Sequence, residues 1–375
     1  MKKTSLFVCL AALLWGTSAA ISQENCTPCD PCGVFGSPFT FGGWVESGIY
    51  TNGNGGGSDN GPMHAQSNRR TDFLMNQLYL FGEKAMNTKH GLDWGARADF
   101  AYGVDAPDMQ CFGDETFDFG WGNNRHGYGA SIYQLYGTLG YKDLSVKVGK
   151  FITPVGWEGV ASKDNTFYSH SLCYYIEPST HSGALATYKL TDRLEINAGW
   201  TAGRDASFKN PNNNSAVLTG FTYSLTDNAN VYYWINTGKE YNSTADRNDY
   251  FSQSLCFEWK PTSRFTYVFE YDLRNDNTQM GRSSTYGLNN HFLYALTDDV
   301  TAGLRLGWAR DNADYIFAPG DYYEMTWGLD WKVLKNVNFR PEVRYDWCKG
   351  ASPYGAAGSL RKDQVSGGFG VLVSF

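Results

Sequence analysis

The sequence predicts an all-β protein, a transmembrane antiparallel β-barrel of about sixteen strands with short periplasmic turns and long extracellular loops. Three observations carry this. Segments of about ten residues alternate apolar and polar side chains with period two. The connections between them are by turns very short and long, and an aromatic residue recurs just before the short ones.

Composition fits the same class. Of 375 residues, 42 are Gly, 25 Tyr, 23 Phe and 12 Trp, while charged residues make up only 18%. Lys and Arg number 31 against 38 Asp and Glu, a net charge of -7 with no basic run, so nucleic acid is not an expected partner. Mean hydropathy is -0.42. Past the N-terminus no apolar run approaches the roughly eighteen residues of a helical span, so any membrane crossing must be made by strands.

In chain order, Lys2 and Lys3, the apolar stretch from Leu6 to Trp15 and the small residues Thr17, Ser18, Ala19 and Ala20 predict a signal peptide over 1–20. About ten apolar residues are too few for an anchor. Residues 21–36 form a Cys/Pro-rich segment around Cys26, Cys29 and Cys32. Three ligands without a nearby fourth favour a disulfide-bonded or cross-linked segment over a zinc site, and no metal or other cofactor is expected. Gln23, Glu24 and Asn25 before Cys26 do not suit a lipid-modified cysteine. Of eight cysteines, seven follow the signal, and an odd number leaves at least one thiol unpaired or paired between chains.

Residues 37–375 are the expected barrel. Alternating segments lie near 39–50, 73–84, 92–102, 131–141, 144–151, 182–190, 194–202, 216–225, 229–238, 250–260, 265–274, 285–296, 300–310, 321–333, 337–347 and 364–375, the second in ambiguous register. Leu194, Ile196, Ala198, Trp200 and Ala202 share one face against Glu195, Asn197, Gly199 and Thr201. Tyr323, Met325, Trp327, Leu329 and Trp331 do the same against Glu324, Thr326, Gly328, Asp330 and Lys332. Three near-identical turns, starting at Tyr188, Tyr223 and Tyr294, mark a hairpin repeat. Tyr141, Tyr188, Tyr223, Trp259, Tyr294 and Trp331 stand just before short turns and predict one interfacial girdle, with Trp200, Trp308 and Trp347 in the other. A soluble propeller fits the period, but it predicts apolar faces on both sides of each sheet, and the charged inner faces argue against it.

The last residues alternate Val365, Gly367, Phe369, Val371, Val373 and Phe375 with smaller partners, which resembles the C-terminal strand signal of outer-membrane barrels; Phe375 is its key residue. With Asn76-Gln77-Leu78-Tyr79-Leu80 and the run from Val148 to Gly156, this ending makes residues 36–375 resemble the OmpL-like β-barrel porins. The resemblance implies a bacterial outer-membrane porin, a water-filled channel for passive diffusion of small hydrophilic solutes. Its partners would be outer-membrane lipid and the barrel-assembly machinery, and trimerisation is the usual porin habit. The alternative is a structural or adhesive barrel with a closed lumen.

The inner faces carry mixed charge. Arg97, Lys147 and Arg305 are expected to line the pore, as are Arg340 and Arg344 of the ladder from Asn338 to Asp346. The third outer connection, residues 152–181, is the longest loop, and loops of this length are commonly functional. Rich in aromatics and charge, it is expected to fold inward and narrow the pore, with Glu158, Lys163, Asp164 and Glu177 at the constriction and the acids facing the wall cations. The acids of the second outer loop, Asp105, Asp108, Asp114, Glu115 and Asp118, read as a solvated loop before a calcium site. Cys111 and Cys173 are disulfide candidates between the second and third loops. An enzyme is not expected: His170 lies between Ser169 and Ser171, but no Gly-x-Ser-x-Gly elbow is present.

Overall fold

A computed structural model describes residues 39–53, 72–112, 114–124, 127–209, 214–240, 248–278, 281–312, 318–354 and 360–375. The expected signal peptide and the cysteines Cys26, Cys29 and Cys32 lie outside the described residues.

Sixteen strands follow one another: β1 Phe39–Asn52, β2 Leu74–Lys84, β3 Leu92–Gly103, β4 Gly129–Tyr141, β5 Leu144–Ile152, β6 Thr180–Lys189, β7 Leu194–Arg204 and β8 Ser215–Thr226 in the first half. The second half holds β9 Ala229–Glu240, β10 Asn248–Trp259, β11 Phe265–Thr278, β12 Gly281–Ala295, β13 Val300–Asp311, β14 Gly320–Leu334, β15 Val337–Lys349 and β16 Asp363–Ser374. Each pairs antiparallel with its sequence neighbours and β1 pairs with β16, so the sheet closes without a free edge. All sixteen alternating segments are strands. Gly43 and Phe375 complete the seam, each backbone N–H donating to the other's carbonyl at 3.0 and 2.9 Å.

Alternation sets the two faces. The six aromatics before the short turns are 38–51% exposed on the outer surface, the girdle that the sequence predicts. At the other rim Trp347 stacks on Tyr323 at 5.1 Å and Trp308 meets Tyr286 edge-on at 5.5 Å. The ambiguous register of the second segment has a local cause. The β1–β2 pairing shifts between Glu46 and Ser47, and Asn76 and Gln77 are consecutive yet both buried.

The inner face is not uniformly polar. Leu185, Leu218 and Trp234 on β6, β8 and β9 pack with Phe151 and Val155 as a buried apolar patch, so one side of the interior is greasy and the other charged. The charged side runs through β11, β13, β14, β15 and β1, and the third loop, between Ile152 and Thr180, packs against it.

Candidate functional site: the third outer loop and its wall anchors

The charges that alternation turns inward on β13–β15 and β1 do not face open water. Arg305, Arg340 and Arg344 are at most 2% exposed. Arg305 reaches Glu158 and Glu324, both at 2.8 Å, and donates to the carbonyls of Ser169 and His170. Arg344 pairs with Glu324 at 2.6 Å and Asp346 at 2.8 Å and donates to the same His170 carbonyl. Arg340 pairs with Glu46 and donates to the carbonyls of Ser162 and Asn165. Guanidinium groups suit this work, since five donors in a fixed fork can satisfy several loop carbonyls at once.

Wall acceptors hold the loop's N–H groups. Glu342 accepts from the backbones of Tyr168 and Ser169, Glu270 from Trp157, and Gln77 accepts from Ser162 while donating to the Val160 carbonyl. A loop that enters a barrel must satisfy its backbone there, and these contacts do so. Burial alone pushes the Glu158 carboxyl up; Arg305, with His170 and His291, more than reverses this and holds it below the usual carboxylate range.

Two aromatics lock the loop sideways. Phe167 lies over Gly303 and Gly328, where a Cβ would meet its ring at 2.6 and 2.9 Å, and 4.8 Å from the Arg305 guanidinium. Tyr168 sits over Gly48 and Gly370 in the same way, its hydroxyl donating to Asn76. Glycines inside strands here mark where another part of the chain comes close.

The second outer loop enters as well. Asp105 accepts from Asn76 and Gln77, and Ala106 and Met109 pack with Trp44, Tyr79 and Tyr133 of the wall and Val160 and Ala161 of the third loop. The acids of this loop do not converge: Asp108 and Glu115 are exposed to solvent, as expected, whereas Asp105, Asp114 and Asp118 are buried. Asp114 is bonded to Thr116 and Ser207, whereas buried Asp118 takes the Cys111 and Ile132 N–H groups, the Ser131 hydroxyl and Lys150.

The family described as "Putative beta-barrel porin-2, OmpL-like" matches residues 38–375. The chain belongs to the OmpL-like β-barrel porins. It is a channel protein of the bacterial outer membrane. No curated protein sequence is significantly similar to it. Among solved structures, an anion-selective porin from Comamonas acidovorans is 10% identical, with 90% of this chain and 99% of that chain covered and a TM-score of 0.60. The outer-membrane protein OmpT of Vibrio cholerae, in its trimer form, is 12% identical over 90% and 99% at 0.57. The outer-membrane channel DcaP of Acinetobacter baumannii is 9% identical over 90% and 97% at 0.59. At these identities the likeness is one of fold.

The remaining expected site residues of this porin scatter. Lys163 and Asp164 are exposed, Lys163 with its ammonium 5.6 Å from the Trp44 ring. Arg97 is half-buried and pairs with Glu83 and Asp99 on its own wall, and Lys147 lies over the Tyr136 and Phe151 rings. Glu177 does not face a wall cation; it faces Glu270 and Asp272. The expected disulfide is not formed. Cys111 and Cys173 are free and buried in different places, Cys111 by Lys150 and Asp118 and Cys173 by Glu270 and Asp272. His170 stacks on Tyr174 at 3.7 Å, and its backbone carbonyl serves as an anchor for Arg305 and Arg344.

Proposed function

We propose that this porin admits small hydrophilic solutes by passive diffusion, without catalysis, through a passage whose width the third loop sets with the second loop beside it. The observation that carries the reading is Arg305, whose guanidinium is consumed by Glu158, Ser169 and His170 and so holds the loop across the lumen. A sixteen-stranded barrel alone leaves a wide aqueous channel; an inserted loop turns it into a filter.

Beside the loop lies a cavity of about 260 Å³ lined by Tyr133, Trp157, Glu158, Asp164 and Tyr174 among others. It supports a solute path on the β3–β5 side, where Arg97 on β3 and Lys147 on β5 are half-exposed. Asp164 on the loop would face that path. Opposite signs across a narrow, poorly screened gap orient dipolar solutes. The trimer form recorded for the Vibrio cholerae protein is carried over as a further proposal, checked by the mass of the detergent-solubilised particle.

Purified protein in planar bilayers should give discrete conductance steps, and liposomes carrying it should swell in small sugars faster than in large ones. A bilayer without steps would favour the closed structural barrel.

A further inference from the structure

One cluster at the edge of the docked loop does little to hold it: of its side chains Glu270 alone serves as an anchor, accepting from the Trp157 N–H. Cys173 and Glu177 of the third loop meet Cys256 on β10 and Glu270 and Asp272 on β11. The ligand atoms of Cys173, Glu270 and Asp272 all lie within 4.8 Å of one another. Cys256 Sγ is 3.7 Å from Glu270 Oε1, and Glu177 adjoins both wall acids. The Glu177 carboxylate fills the space that a side chain on Gly156 would take, and Gly156 has φ +85°, where glycine is at ease. All five side chains are at most 4% exposed.

The cluster has ligand atoms to spare and, among the described residues, no cation of its own. Both carboxylate oxygens of Asp272, Oε2 of Glu270 and Oε1 of Glu177 lack a hydrogen-bond partner of good geometry. The neighbouring arginines are engaged elsewhere: Arg274 pairs with Asp276, while Arg204 pairs with Asp205 and donates to the backbone carbonyl of Glu177. Three carboxyls sealed together without a counter-charge are costly unless protonated or bound to a metal.

We propose that Cys173, Cys256, Glu270, Asp272 and Glu177 form a site for one soft divalent transition-metal ion of the zinc(II) or cadmium(II) class. Thiolate with carboxylate is a zinc-type donor set, whereas calcium and magnesium take oxygen alone. Binding displaces thiol and carboxyl protons to solvent, with no change in oxidation state. The site rests on the docked loop, because Cys173 and Glu177 belong to the loop and the other three to the wall; a bound ion would rivet one to the other.

The test uses the full chain with Cys26, Cys29 and Cys32 replaced by Ser, refolded metal-free in detergent and titrated with Cd²⁺. The expected result is an ultraviolet thiolate-to-cadmium charge-transfer band that saturates at one equivalent and is reversed by excess Zn²⁺. Cys173→Ser with Cys256→Ser should abolish it, Asp272→Asn should weaken the affinity about ten-fold or more, and Cys348→Ser should leave it unchanged. Absence of the band, or its survival in the double cysteine variant, overturns the site. Labelling of Cys173 by a water-soluble maleimide before metal is added separates the two readings. Slow labelling without a band removes the metal site alone; fast labelling removes the docked loop with it.

Discussion

Glu158 Oε1 on the third loop lies 2.8 Å from Arg305 Nη1 on β13, and both side chains are sealed from water. Arg305 also bonds Glu324 on the neighbouring strand. The contact therefore joins loop to wall and not merely charge to charge. Breaking a buried pair by removing one partner costs about 3–5 kcal/mol, since the other is left uncompensated. In Arg305→Gln the third loop should leave the wall and become open to proteolysis around residues 158–170 in the folded barrel. Protease resistance equal to wild type would deny Arg305 its anchoring role.

Phe167 depends on the absence of side chains beneath it. Gly303→Val, on β13, puts a branched side chain where the Phe167 ring lies, while valine itself suits a strand. The barrel should fold and keep its heat resistance in detergent gels, with Phe167 expelled and channel noise increased. Unaltered current traces would mean that the ring's seat is incidental.

Asp105 gives docking of the second loop a pH dependence. Burial, with Glu46 nearby, pushes its carboxyl up to about 8. The docked form thus keeps a proton that the free form, near 3.9, releases. Docking is strongest below about pH 4 and weakens by up to about ten-fold per unit as pH rises towards 8. Hydrogen-exchange protection of the second loop, corrected for intrinsic rates, should fall between pH 5 and 8 in wild type and stay level in Asp105→Asn. A level wild-type profile would contradict the assignment.

Phe375 pairs with Gly43 at the seam, its ring packed where a Cβ on Gly43 would reach. A charge at this interfacial end costs only about 0–1 kcal/mol of barrel stability. Phe375→Asp should therefore refold in detergent much as wild type does, yet reach the outer membrane in greatly reduced amount. Normal outer-membrane yield would show that the terminal residue is no assembly signal.

The barrel was legible because two solvents impose period two on every strand, and all sixteen alternating segments are strands. The loop's destination was partly legible: Glu158 and Arg305 carry opposite charge on a long aromatic loop and an inner face. Their neighbours show why the rest was not. Arg340 and Arg344 spend their donors on loop carbonyls, and nothing in their spacing distinguishes an anchor from an open pore charge. Glu177 joins acids on β11 because loop geometry, invisible to composition, carries it there. Cys111 and Cys173 share neighbouring loops but not a location. The signal that was missed lies in the inward glycines Gly48, Gly303, Gly328 and Gly370, gaps in the wall that match Tyr168 and Phe167. Sequence shows such gaps but not what fills them.

The inserted loop is tested most directly by single-channel conductance after residues 160–170 are replaced with a short Gly-Ser link. This removes Phe167, Tyr168 and the carbonyls held by Arg305, Arg340 and Arg344, and it leaves every strand intact. The conductance step should rise well above that of wild type, because the barrel behind the loop is wider than the passage beside it. An unchanged step would place the loop outside the conducting path and contradict the account.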